Sequence, residues 1–156
     1  MGLDEFGPSI IEPPAGGDHG AIVKYANGVN VLHQTPHRPS ISIRGVDGSL
    51  MLTYGHLTSN KPEIIEEPLG EKERRVPSSK NALVSWLDAI RANKPEAVSC
   101  RPEIGHRAAS ACHVLNIAYK LRRKLRWNPV TEEFVDDAEA NALRSRTPRE
   151  GWEYPV

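Results

Sequence analysis

The chain has 156 residues with 20 basic and 20 acidic side chains, so its formal net charge at neutral pH is zero; the length suits one domain, and the balance excludes a globally basic surface that would draw it to nucleic acid or an anionic membrane. Only two cysteines occur, Cys100 and Cys112, which speaks against a disulfide framework and for buried thiols in a reducing compartment, the cytoplasm. No apolar run approaches the ~20 residues that span a bilayer, and the amino-terminal MGLDEFGPS lacks a charged start followed by an apolar stretch, so a soluble chain without an export signal is expected.

The elements follow in order. Residues 1–20 read as an irregular segment, with a short edge strand at Ile10 to Glu12. Proline and glycine then punctuate strand-like runs. Ala21 to Ala26 and Val29 to Gln34 flank Asn27-Gly28, a dipeptide that accepts the positive φ angles of a tight hairpin. Ile41 to Val46 and Ser49 to Tyr54 flank Asp47-Gly48 in the same way, and alternation places Ile41, Ile43, Leu50 and Leu52 on one face. Pro62 to Glu66 reads as another edge strand, since proline is tolerated in a sheet only at an edge.

After Pro77 the period changes from two to about 3.6. Ser78 or Ser79 caps a helix whose buried stripe is Leu83, Trp86, Leu87 and Ile90, stopped by Asn93-Lys94-Pro95. From Arg101 to Pro129 runs a long amphipathic helix, with Ile104, Ala108, Ala111, Leu115, Ala118, Leu121 and Leu125 on one face. Pro102 suits its first turn, and the basic run Lys120 to Arg126 complements the carbonyls at its far end. Trp127-Asn128-Pro129 breaks it, and Asp136 to Arg144 makes a short last helix. Strands at 21–76, two helices at 77–126 and a tail at 127–156 predict one α+β domain: a mostly antiparallel sheet of four to six strands with helices packed on one face.

His106 and His113 are two helical turns apart, with Ser110 and Asn116 on nearly the same stripe beside the apolar face. Two positions ~10 Å apart along a helix do not share one zinc ion. His33 and His37, even with His56, lack the helix and the carboxylate or cysteine company of a metal site, so no metal ligand is assigned. Ser110, Cys112 and His113 point in different directions on a helix and make no triad. Gly16-Gly17-Asp18-His19-Gly20 follows Pro13-Pro14 and precedes a strand, the wrong context for a dinucleotide turn. The basic run reads as a solvated helix end in preference to a phosphate site.

Five segments together resemble the C-terminal domain of the Gfo/Idh/MocA oxidoreductases: KYANGVNVLH, ISIRGVDGSL, SKNALVSWLDAIRANKPEAV, EIGHRAASACHVLNIAYKLRRKLRWNP and EEFVDDAEANALRSRTPREGWEYP. They are colinear with the family pattern from Lys24 to Pro155, down to the long tail of its bacterial members. The resemblance implies an NAD(P)-dependent enzyme of two domains, in which a Rossmann domain grips the dinucleotide and the C-terminal sheet supplies a substrate wall and an oligomer interface. The family's Glu-Lys-Pro motif belongs to the Rossmann domain, and Asn93-Lys94-Pro95 imitates it only superficially. Its catalytic aspartate and histidine precede the first matched segment. No catalytic or cofactor-binding residue is therefore carried over, and no cofactor is expected for this chain; NAD(P) is implied only for a complete member or a partner chain.

The stripe His106, Ser110, His113 and Asn116 is read first as capping neighbouring loops or facing solvent; the alternative is that in a complete enzyme it borders the substrate cleft, where imidazole and amide groups hydrogen-bond sugar hydroxyls. Two functions follow. The chain is either the substrate-side, oligomer-forming domain of such an oxidoreductase, inert alone and present as a truncated product, a fragment or one half of a split enzyme that works with a separate Rossmann-domain chain, or a free-standing dimerising scaffold or sugar/polyol-binding protein derived from that domain. A sheet covered on one face only predicts a homo-oligomer in either case.

Overall fold

Six strands precede the two longer helices, as the change of period requires, and two more strands follow them. The computed structural model describes residues 7–34, 40–73, 81–98 and 100–152. Its elements are β1 (Pro8–Glu12), β2 (Ile22–Tyr25), β3 (Asn30–Leu32), β4 (Ser40–Arg44), β5 (Ser49–Thr53), β6 (His56–Ser59), α1 (Glu63–Glu66), α2 (Ala82–Ala92), a 3-10 turn (Pro95–Ala97), α3 (Pro102–Leu121), β7 (Leu125–Asn128), β8 (Glu133–Phe134) and α4 (Ala138–Ala142). Every pairing among them is antiparallel, so the α+β class holds. The strands divide into a five-stranded sheet, ordered β3-β2-β1-β7-β8, and a three-stranded sheet, β4-β5-β6.

Both hairpins form where their turn dipeptides stand. Gly28 has φ +87°, and Val29 N–H donates to Asn27 Oδ1 at 3.1 Å, an Asx contact that shapes the turn. In the second hairpin Gly45 N–H donates to Gly48 O at 2.8 Å. Ile41 lies opposite Leu52 and Ile43 opposite Leu50, and Leu52 also faces Leu57 of β6. The alternation thus builds an apolar row across all three strands of the smaller sheet.

Several elements differ from their expectation. β1 is central, paired with both β2 and β7, and not an edge strand. The cause lies at the far end of the long helix, which stops at Leu121 because Arg122 turns left-handed at φ 53°. Leu125 fits the helical spacing from Leu121, but Leu125 and Trp127 alternate inward about an outward Arg126, and that period of two is β7. Pro62 to Glu66 is a helical turn, not a strand, since Pro62 itself has the helical φ of −53°. The helix after Pro77 is capped by Asn81, whose Oδ1 accepts from Leu83 and Val84 N–H; Ser78 and Ser79 lie outside the described residues.

Burial is concentrated where α3 crosses the larger sheet. Val23, Ile11 and Leu125 form one cross-strand row, and Val114, Ile117 and Ala118 of α3 close over it. Trp127 and Phe134 meet edge to face, centroids 4.9 Å apart, an arrangement favoured by the ring quadrupoles. Only the C-terminal half of α3 is packed in this way. Ala108 is exposed, and so are Cys100 and Cys112, contrary to the expectation of buried thiols; Cys112 is turned ~200° around the helix from buried Val114. The expected stripe of α2 is also uncovered: Leu83 is 63 % exposed, Trp86 50 %, Leu87 37 % and Ile90 56 %, while Ala89 is buried in their place.

Two polar devices fix the tail. Asn141 imitates a further strand at the edge β8, because its Oδ1 accepts from Phe134 N–H and its Nδ2 donates to Phe134 O, both at 2.8 Å. Arg123 forks onto Asp137 and donates to Glu139 Oε2 at 2.9 Å. The Arg123 guanidinium, aided by Ala140 N–H, holds the Asp137 carboxyl down to about 2. A carboxyl lowered on folding stabilises the fold above its unfolded value, ~4, and that contribution is lost as pH falls through about 2. Acid unfolding of D137N is therefore expected to depend less steeply on pH between ~4 and ~2 than that of the unsubstituted chain. Parallel acid-unfolding curves followed by circular dichroism would contradict the pairing.

Candidate functional site

Helix α3 does more than close a core. Toward the tail its flank forms one wall of a cavity of about 730 Å³, within the range of small-molecule sites. His106, Ser110, His113 and Asn116, the stripe picked out by spacing, all line it, joined by Lys120 one turn further on. Val114, Ile117, Trp127 and Leu143 give it an apolar lining. Glu132 and the segment Arg144 to Arg146 complete it from the opposite side.

The opposite wall is held by polar clamps. His106 Nε2 lies 2.6 Å from Glu132 Oε1, which ties the start of α3 to the turn before β8. Glu132 adopts φ 56°, a left-handed conformation that costs a side-chain-bearing residue ~1 kcal/mol or more and persists only where surroundings impose it. Arg144 imposes it by donating to the Glu132 carbonyl, and its second nitrogen reaches Glu133 Oε1 at 3.4 Å. The histidine of the predicted stripe thus positions a wall, while Ser110, His113 and Asn116 present hydroxyl, imidazole and amide groups to the cavity without a side-chain partner among the described residues. Such groups can hydrogen-bond a polyhydroxylated ligand resting on the apolar lining.

The sequence reading missed Lys120, Glu132, Arg144 and Arg146 as wall residues. It had taken the basic run as a solvated helix end, yet four of its members meet carboxylates from distant segments. Arg122 reaches Asp18 at 2.9 Å, Arg123 reaches Asp137 and Glu139, Lys124 reaches Glu12 at 3.4 Å, and Arg126 reaches Asp136 at 2.9 Å. The sequence offered a signal for two of them only, in the acidic tail residues Asp136, Asp137 and Glu139; Glu12 and Asp18 are more than 100 residues away from the cations they meet.

The other weighed residues lie elsewhere. His33 Nδ1 is 2.7 Å from the Tyr119 hydroxyl, which also accepts from Ala21 N–H and so fastens the first hairpin to α3. His56 begins β6 in the other sheet, and His37 lies outside the described residues. Cys112 does not line the cavity. The glycine tract at residues 16–20 joins two antiparallel strands, with β2 following instead of a helix. Arg122 fastens it through Gly17 O and Asp18. An acidic side chain and the absence of a helix N-terminus there do not fit a dinucleotide pyrophosphate, which needs aligned N–H donors.

Comparison with known proteins agrees with this architecture. Residues 15–154 match the family described as "Oxidoreductase family, C-terminal alpha/beta domain", of the Gfo/Idh/MocA group. No curated protein and no solved structure matched the chain. No helix among the described residues is long and apolar enough to cross a membrane.

Proposed function

Since the chain belongs to the Gfo/Idh/MocA oxidoreductase family as its C-terminal alpha/beta domain, we propose that it serves as the substrate-side and oligomer-forming part of an NAD(P)-dependent oxidoreductase. On this reading the dinucleotide is held by a domain outside these 156 residues, in the same assembly or on a separate chain. Hydride transfer needs donor and acceptor carbon in contact, and the glycine tract here is built as a hairpin connection. We place the protein in the cytoplasm, where exposed Cys100 and Cys112 stay reduced.

The observation that carries the proposal is apolar surface left open in two places. On the smaller sheet Ile41, Leu52 and Leu57 share a cross-strand row and are 59 %, 45 % and 50 % exposed, and the α2 stripe is equally bare. Water contact of this extent around an apolar row marks a surface meant for another body. Sedimentation of the purified chain, alone and mixed with a family nucleotide-binding domain, tests this: self-association or a mixed complex is expected, and a lone monomer at high micromolar concentration in both mixtures contradicts it.

A second reading, a free-standing polyol-binding scaffold, is favoured by one arrangement: Ser110, His113 and Asn116 stand beside an apolar lining of Val114, Ile117, Trp127 and Leu143 in one cavity. It predicts stable self-association and ligand binding with no nucleotide-binding partner.

A further inference from the structure

We infer that the cavity under α3 selects an acidic polyhydroxy compound, a sugar or polyol carrying a carboxylate or phosphate, with Lys120 and Arg146 recognising the oxyanion. This rests on the reading of the same cavity as a polyol cleft and adds a charge to its ligand. Four cations of the basic run are already engaged: Arg122, Arg123, Lys124 and Arg126 are each matched by a carboxylate from another segment. Lys120, which belongs to the same run, has no carboxylate partner among the described residues and lines the cavity instead. Arg146 is in the same position on the opposite wall.

The charge balance of the lining points the same way. Its permanent cations are Lys120, Arg144 and Arg146, and its one carboxylate, Glu132, is engaged by His106. Arg144 is turned toward Glu132 O and Glu133, which leaves Lys120 and Arg146 for the ligand. The carbonyl end of the α3 macrodipole opposes an anion here with about half a charge. Arg122 N–H caps Ala118 O, and one lysine charge exceeds that term. The hydroxylated body is served by Ser110, His113 and Asn116, and its apolar face by Trp127 and Ile117. Lys120 and Arg146 line the cavity while remaining exposed to water, and an oxyanion gives them charge-assisted hydrogen bonds that an uncharged polyol does not.

Calorimetric titration of the purified chain with gluconate, glucose 6-phosphate, myo-inositol and inorganic phosphate tests the inference. The expected result is that at least one of the two acidic compounds binds at least ~10-fold tighter than myo-inositol and than phosphate. K120Q and R146Q should each weaken it ~10-fold or more, weaken myo-inositol by a clearly smaller factor, and reduce the dependence on salt. The gluconate and glucose 6-phosphate arms decide between carboxylate and phosphate. Equal affinity for myo-inositol and both acids, unaffected by K120Q and R146Q, overturns the inference while the polyol cleft stands. Inorganic phosphate binding as tightly as glucose 6-phosphate overturns the hydroxylated body. No heat with any of the four, in a chain shown to be folded by circular dichroism, overturns both the inference and the cleft.

Discussion

Replacing Phe134 with alanine is expected to remove about 3–5 kcal/mol of folding stability, a large part of the 5–15 kcal/mol that such a domain possesses. Phe134 is 2 % exposed and is among the largest fully buried side chains of the core. Its ring meets Trp127 edge to face, and its backbone is the one clipped by Asn141. Truncation leaves a void between β7, β8 and α4 that these short elements cannot close without loosening Glu132, two residues away. The cavity wall should then be lost together with the core. Urea unfolding checks the first effect, and a loss below ~1 kcal/mol would show that the aromatic pair is not the core's anchor.

Placing glutamate at both Leu52 and Trp86 should have the opposite profile, with a modest effect on folding and a large one on assembly. Both side chains are about half exposed, so within the chain their replacement should cost only about 1–1.5 kcal/mol of folding stability each. In an assembly each would put a charge into a desolvated contact. Buried aromatic and aliphatic anchors are worth ~2–4 kcal/mol apiece, so association should weaken by at least ~30-fold, read by sedimentation velocity. An unsubstituted chain and a doubly substituted chain that sediment alike would remove both apolar rows from the interface.

What could be read from residues alone was the local chemistry. Asn27-Gly28 and Asp47-Gly48 set their hairpins because turn geometry is decided within a few residues. Alternation likewise put Ile41, Ile43, Leu50 and Leu52 on one face. The polar stripe of α3 was legible because a single helix fixes the relative directions of His106, Ser110, His113 and Asn116. Its partners were not, since Glu132, Arg144 and Arg146 reach the cavity only after the chain reverses through β7 and β8. Leu125 shows the same limit in miniature: its spacing suits a helix and a strand equally, and the decision is made by its contact with Ile11, 114 residues earlier in the chain. The stripe of α2 was mistaken for core because hydrophobic periodicity reports that a face is to be covered, without saying by which body.

The account depends on the dinucleotide being gripped elsewhere. Titration of the purified 156-residue chain with NADH, followed by nicotinamide fluorescence and by hydride turnover with a sugar acid or polyol, addresses that dependence most directly. Unaltered fluorescence and no turnover until a nucleotide-binding domain is added are the predicted results. Saturable NADH binding, or substrate oxidation by this chain alone, would contradict it.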